Sequence, residues 1–199
     1  AVIEQDKVGG RCLNYACIPA KAVLRVADVL AEVRDADEFG IEVGEPTIDY
    51  AAISARREKV VSTLTGGVSS LLKKNGIDLI EGEGTLRGGG TIEVGGGELA
   101  ARTIVLATGS VKQPIPGARF GGRVIGTEEA WALPALPSTL AVVGAGASGA
   151  EIASAYARLG VEVLLFEALD RVLPAEDADI SALVERGLRK QGIAIHTST

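Results

Sequence analysis

The chain is poor in the residues that build metal centres and covalent scaffolds. Its 199 residues contain two cysteines, Cys12 and Cys17, and a single histidine, His196. A structural zinc site takes about four soft ligands, and two thiols with one distant imidazole do not supply them. A disulfide framework is equally unneeded, because a chain of this length can bury its own core. Basic charge is also scarce: the net charge is -6 and the pI near 5.0, the reverse of the basic surface that nucleic acids select. No apolar run approaches the roughly 20 residues that span a bilayer. Nor does a basic segment followed by an apolar one open the chain as a signal peptide would. These absences point to a soluble protein of a reducing, cytoplasmic compartment, without nucleic-acid or membrane partners. In such a compartment a thiol pair is more often catalytic than structural.

What the sequence does have is 47% hydrophobic residues, only 4% aromatics and 26 glycines. Small aliphatic residues with abundant glycine suit an α/β fold with tight strand-to-helix turns. The two cysteines share one run, Gly9-Gly10-Arg11-Cys12-Leu13-Asn14-Tyr15-Ala16-Cys17-Ile18-Pro19-Ala20-Lys21. Residues five apart on an ideal helix are separated by about 7.5 Å along its axis, past the roughly 7 Å that a disulfide tolerates between Cα atoms. A bridge between them therefore requires a distorted turn, the setting of easily reduced bridges. Two buried thiols, or half of a metal site, are the structural alternatives.

Apolar spacing predicts a helix over about 21–34, another over 50–74 that stops at Lys73-Lys74-Asn75-Gly76, and a strand over 77–81. Short strands follow at 84–86, 91–94 and 99–102, separated by the triple glycines 88–90 and 95–97. Thr103 to Ala107 is a continuous apolar run of the kind buried on both faces in a parallel sheet. A short helix is expected over 128–133 and an amphipathic one over 178–190.

Between them lies a βαβ unit: strand 140–143, the turn Gly144-Ala145-Gly146-Ala147-Ser148-Gly149, helix 150–159 and strand 161–167. Gly144 permits the tight turn, Gly146 lets a pyrophosphate approach the backbone, and Gly149 allows helix to pack on strand. The helix N-terminus then offers free N–H groups to phosphate. Glu167 ends the second strand 23 residues beyond Gly144, near the distance of about 20 expected for a ribose-binding carboxylate. Such an acid accepts both ribose hydroxyls and repels a 2′-phosphate, which favours NAD over NADP. Glu4 closes Ala1-Val2-Ile3 in the same way, which suggests a second nucleotide unit whose Gly-rich turn would lie upstream of residue 1. Both chain ends read as interior to a longer protein, since one looks like the end of a strand and the other like the start of one.

Together these segments resemble the pyridine nucleotide-disulfide oxidoreductases, flavin enzymes with a redox-active disulfide. The cysteine run is similar to their disulfide signature, 104–110 to a strand that contacts FAD, and 144–167 to their inserted NAD domain. Leu13, Ile18 and Glu167 lean towards the dihydrolipoamide dehydrogenase branch. The resemblance implies an α/β fold: part of a Rossmann-like FAD-binding domain over 1–119 and the N-terminal half of an NAD-binding Rossmann domain over 120–199. It implies that Cys17 faces the flavin and Cys12 the substrate. Lys21 would lie at the flavin with Glu151 as its partner; Glu4, Gly9, Gly10, Gly84, Thr108, Gly109 and Ser110 would contact FAD. Gly144, Gly146, Gly149, Glu151 and Glu167 would serve the NAD side.

The implied activity passes electrons from dihydrolipoamide through the Cys12–Cys17 disulfide and FAD to NAD. The implied partners are lipoyl domains of a 2-oxo acid dehydrogenase complex and a second copy of the enzyme. Reduction of another disulfide or a metal ion, or a non-catalytic dinucleotide-binding remnant, are the rival readings. Arg11 departs from the family pattern, which has a small polar residue there, and a cation beside Cys12 favours its thiolate. Ala16 and Ala20 are milder departures. The family's histidine base has no counterpart, and His196, in a strand-like run, reads as structural.

Overall fold

The computed structural model describes residues 1–199. Its first element, β1 (Val2–Glu4), pairs in parallel with β2 (Leu79–Glu81), Glu4 lying opposite Glu81. Between the two strands run α1 (Gly10–Asn14), α2 (Cys17–Arg34), a 3-10 turn (Ala36–Phe39) and the long α3 (Tyr50–Lys74). The Asp49 carboxylate caps α3 by accepting the Ala52 N–H at 3.1 Å, which accounts for its sharp start after the polar loop.

An antiparallel meander follows, β3 (Thr85–Gly88), β4 (Thr91–Val94) and β5 (Gly97–Ala100). Its turns are made by Gly88, Gly89, Gly90, Gly95 and Gly96, all with positive φ, a conformation that side chains resist. The short α4 (Thr127–Trp131) leads into a parallel sheet of β6 (Thr139–Val143), β7 (Glu162–Phe166) and β8 (Ala194–His196). In that sheet α5 (Ala147–Arg158) connects β6 to β7, and α6 (Ala178–Lys190) connects β7 to β8. The fold is thus α/β, with parallel and antiparallel sheets.

One core crosses the middle of the chain. Ala20, Val23 and Ala27 of α2, Trp131 of α4, Ala153 and Tyr156 of α5, and Val163 and Leu165 of β7 are each at most 2% exposed and belong to one cluster. Small residues bring the elements close: Ala27, Ala153 and Ala155 have no exposed surface, so α2 and α5 lie side by side. Asp28 of α2 pairs with Arg158 of α5, and Arg34 donates to the Arg158 carbonyl at 2.8 Å.

The expected strand over 103–107 does not form. The backbone of 102–114 makes no hydrogen bond to another backbone group, and Val105 and Leu106 are 82% and 68% exposed. A strand is a paired object, and no strand of this chain lies alongside this segment. Its apolar composition signals where it would be stable, without providing the partner. Elsewhere α2 starts at Cys17 rather than Lys21, β5 spans 97–100 rather than 99–102, and two short elements form that were not expected, α1 and the 3-10 turn.

Candidate active site

Cys12 and Cys17 are joined in a disulfide with Cα atoms 4.8 Å apart. This is possible because the helix breaks between them: α1 ends at Asn14 and α2 begins at Cys17. Ala16, the residue before α2, has φ -126° and ψ -90°, outside the helical region. Cys17 is the first residue of an 18-residue helix whose N-cap has no side-chain hydrogen bond. Its sulfur therefore sits at the positive end of a helix dipole, where a thiolate is favoured.

Cys12 lies on α1, a five-residue helix with no buried residue. The Asn14 side-chain amide steadies this turn by donating to the carbonyls of Val8 and Gly10, both at 3.0 Å. Gly9 and Gly10 both have positive φ, 97° and 66°, and a Cβ on Gly9 would collide with the Leu13 side chain. Arg11 does not stand free beside Cys12. Its guanidinium pairs with Glu128 and reaches Thr127 Oγ1 at 3.4 Å, so the charge expected to favour the Cys12 thiolate is compensated.

One turn into α2, Lys21 Nζ forms an ion pair with Glu151 Oε1 of α5. The redox segment is thereby tied to the Gly-rich turn. Gly144 has φ 97°, and a Cβ on Gly149 would collide with the Gly144 carbonyl oxygen, so both positions demand glycine. Gly146 is the N-cap of α5 and supplies no side-chain cap, which leaves the first helical N–H groups open to an anion. Glu167 is only 8% exposed. Its Oε2 accepts the Ala145 N–H at 2.6 Å and its Oε1 the Leu169 N–H at 3.0 Å. The strand-end acid therefore braces the turn itself, a role the sequence did not reveal.

Glu4 repeats part of this arrangement. Its Oε1 accepts the Asp6 N–H at 2.9 Å, the same step of two residues that Glu167 makes to Leu169. Gly84 lies against β1: a Cβ there would come 3.4 Å from Ile3 Cγ2 and 3.3 Å from Ile92 Cγ2. Thr108, Gly109 and Ser110 are exposed and make no hydrogen bonds. Gly109 has φ 73°. His196 stacks on Phe166 with ring centroids 5.0 Å apart and makes no ion pair.

No sequence signal marks what organises α4. Tyr156 donates to the Ala130 carbonyl and shares a 3.1 Å hydrogen bond with Tyr50; burial first, then Tyr50, pushes its phenol well above the usual tyrosine range. Arg57 donates to the Trp131 carbonyl. At the other end of α4, Glu129 pairs with Lys112, whose hydrogen bond holds the Glu129 carboxyl below its ordinary value.

A bridged cysteine turn, clamped by a lysine–glutamate pair to a dinucleotide-type βαβ unit, defines a class of disulfide-linked, nucleotide-using oxidoreductase. The chain belongs to the pyridine nucleotide-disulphide oxidoreductase family, whose model matches residues 1–199. Among its relatives, the dihydrolipoyl dehydrogenase of Chlamydia pneumoniae is 39% identical over 200 residues, covering 99% of this chain and 43% of that protein. A dihydrolipoyl dehydrogenase of Bacillus subtilis (strain 168) is 38% identical over 205 residues, covering 100% and 45%. The crystal structure of LpdA from Mycobacterium tuberculosis matches with a TM-score of 0.89 at 29% identity, over 99% of this chain and 45% of LpdA. The HOCl-induced flavoprotein disulfide reductase RclA from Escherichia coli matches with a TM-score of 0.81 at 30% identity, over 99% and 43%. The chain spans less than half the length of these relatives.

Proposed function

We propose that this chain carries the dithiol and dinucleotide machinery of a dihydrolipoyl dehydrogenase, oxidising dihydrolipoamide through Cys12–Cys17 with FAD and NAD as cofactors. Residues 1–119 form the FAD unit and 120–199 the NAD unit. The observation that carries the reading is the Cys12–Cys17 disulfide at the N-terminus of α2, held by Lys21–Glu151 beside the Gly144–Gly149 turn.

The residues fit both cofactors. On the NAD side, the collision awaiting a Cβ at Gly149 and the uncapped N-terminus of α5 are what a pyrophosphate cradle needs. On the FAD side, Glu4 Oε2 has no hydrogen-bond partner in the chain and is available for a ribose. Lys21 is placed by Glu151 to contact the flavin; Gly9, Gly10, Gly84, Thr108, Gly109 and Ser110 complete that surface. Glu167 discriminates against a 2′-phosphate.

A thiolate of the substrate attacks Cys12 Sγ and breaks the Cys12–Cys17 bond, and Cys17 leaves as a thiolate. Position at the start of α2 stabilises that leaving group through the helix dipole. The second substrate thiolate then attacks the substrate sulfur of the mixed disulfide and releases Cys12. The substrate departs as a disulfide and the chain holds two reduced sulfurs. FAD and NAD, when bound, supply the acceptor chemistry that takes this electron pair. Lys21 and Glu151 hold the alignment of α2 against α5 throughout.

Lipoyl domains of a 2-oxo acid dehydrogenase complex are the partners this substrate implies, with a homodimer in the cytoplasm as the working form. No helix is long and apolar enough to cross a membrane. The test is NAD reduction by dihydrolipoamide, measured on the full-length protein carrying this sequence. Cys12→Ser and Cys17→Ser should each lower kcat by about a thousandfold or more, on the order of 4 kcal/mol of barrier. Parent protein that turns over another disulfide but not lipoamide would move the reading to a different reductase of the family.

A further inference from the structure

We propose that the Arg11–Glu128 ion pair is a clamp that positions Cys12 for closure of the disulfide. The inference rests on the dithiol reading above and concerns two residues that reading leaves without a role.

The need for a clamp follows from α1 itself. A helix of five residues is too short to be stable alone. None of its residues is buried, and Gly9 offers no side-chain cap. The Asn14 hydrogen bonds shape the turn without fixing its place in the molecule. While the disulfide is closed, Cys17 holds Cys12 against α2. Once it opens, Arg11 is the only hydrogen-bonding side chain of α1 that reaches beyond residues 6–17.

Its partner stands on a fixed platform. Although α4 is also only five residues long, its ends are both tied. Glu129 Oε2 accepts the Gly126 N–H at 2.9 Å and the same carboxylate pairs with Lys112. The Ala130 and Trp131 carbonyls accept from Tyr156 of α5 and Arg57 of α3, and Trp131 is 2% exposed. Glu129 is already engaged, so Glu128 is the acid left to receive Arg11. The Arg11 and Glu128 side chains are 25% and 26% exposed, against 59% and 34% for Lys21 and Glu151. Shelter from water strengthens the pair, and the Thr127 hydroxyl gives the guanidinium a second contact.

With the clamp in place, a reduced Cys12 stays close to Cys17 and reclosure is favoured. Without it the thiol samples more positions, its effective concentration falls, and the equilibrium moves towards the dithiol.

The test equilibrates the full-length flavoprotein in reduced and oxidised glutathione without oxygen, then alkylates it and counts free thiols at positions 12 and 17. Arg11→Gln and Glu128→Gln should each shift the disulfide equilibrium about tenfold towards the dithiol, or about 30 mV. Arg11→Lys, which keeps the charge, should shift it less than either. The reversed pair, Arg11→Glu with Glu128→Arg, should return it to within about twofold of the parent. Single variants within twofold of the parent, or a reversed pair no nearer to it than they are, would overturn the clamp and leave the dithiol reading intact. A parent with no dithiol–disulfide transition would overturn both.

Discussion

Lys21 of α2 and Glu151 of α5, 130 residues apart in sequence, form an ion pair that joins the cysteine turn to the dinucleotide turn. Each residue adjoins one of the turns: Lys21 follows Cys17 by one helical turn, and Glu151 follows Gly149 by two residues. Beneath the pair, α2 and α5 touch through alanines with no exposed surface. The distance between the two functional turns is thus set by the core, and the ion pair sets their alignment.

This arrangement separates stability from turnover. Glu151→Gln should cost under about 1 kcal/mol in urea denaturation, because the pair is largely exposed and screened. The same change should lower kcat for NAD reduction by about tenfold or more. Unaltered kcat in a well-folded variant would remove Lys21–Glu151 from the site.

Glu167 should behave in the opposite way. Its carboxylate is buried and accepts two backbone N–H groups, and a charged hydrogen bond contributes about 1.5–3 kcal/mol. Glu167→Gln retains one acceptor oxygen and should destabilise the protein by about 2 kcal/mol in chemical denaturation. It should also narrow the preference for NAD over NADP by about tenfold in kcat/KM. A parent enzyme equally efficient with NADP would contradict the assignment of this acid.

How much of this was legible depended on whether a residue acts on its neighbours in sequence or in space. The span of α3 and the βαβ unit could be read directly, because apolar periodicity, the Lys73-Lys74-Asn75-Gly76 stop and spaced glycines are local signals. The Cys12–Cys17 pairing was legible only through the likeness of the whole cysteine run to a redox-disulfide signature, since ideal helix spacing alone keeps the two residues too far apart. Thr103 to Ala107 misled because a buried strand requires a neighbour, and no periodicity announces whether one is present. Arg11 was conspicuous in sequence, yet its partner Glu128 lies 117 residues away at the start of an expected short helix, where nothing local marks it. Tyr50 with Tyr156, and Arg57 with the Trp131 carbonyl, were invisible because each is a satisfied polar group inside a tertiary core.

Acid should loosen the α4 platform. Glu129 has its folded pKa lowered, chiefly by the Lys112 hydrogen bond. A depressed carboxylate stabilises the fold above its unfolded value and loses that contribution as pH falls through the folded one. The Lys112–Glu129 tie should therefore be fully present at neutral pH and fade below the ordinary glutamate value of 4.5. Lys112→Gln should remove about 0.5 kcal/mol at pH 7, a surface-pair magnitude, and have progressively less effect on thermal stability below that value. A constant difference between pH 7 and pH 3 would contradict it.

On the proposed reading, Cys12 and Cys17 take the electron pair from a dithiol. Thiols on the full-length flavoprotein should be counted by alkylation and peptide mapping after one equivalent of dihydrolipoamide is added without oxygen or NAD. No cysteine of residues 1–199 is free, so alkylation of this segment should begin only after the substrate is added and should fall on positions 12 and 17. NAD added before the alkylating agent should restore the bridge and suppress that labelling. A dihydrolipoamide-treated protein whose Cys12 and Cys17 remain bridged would contradict the account.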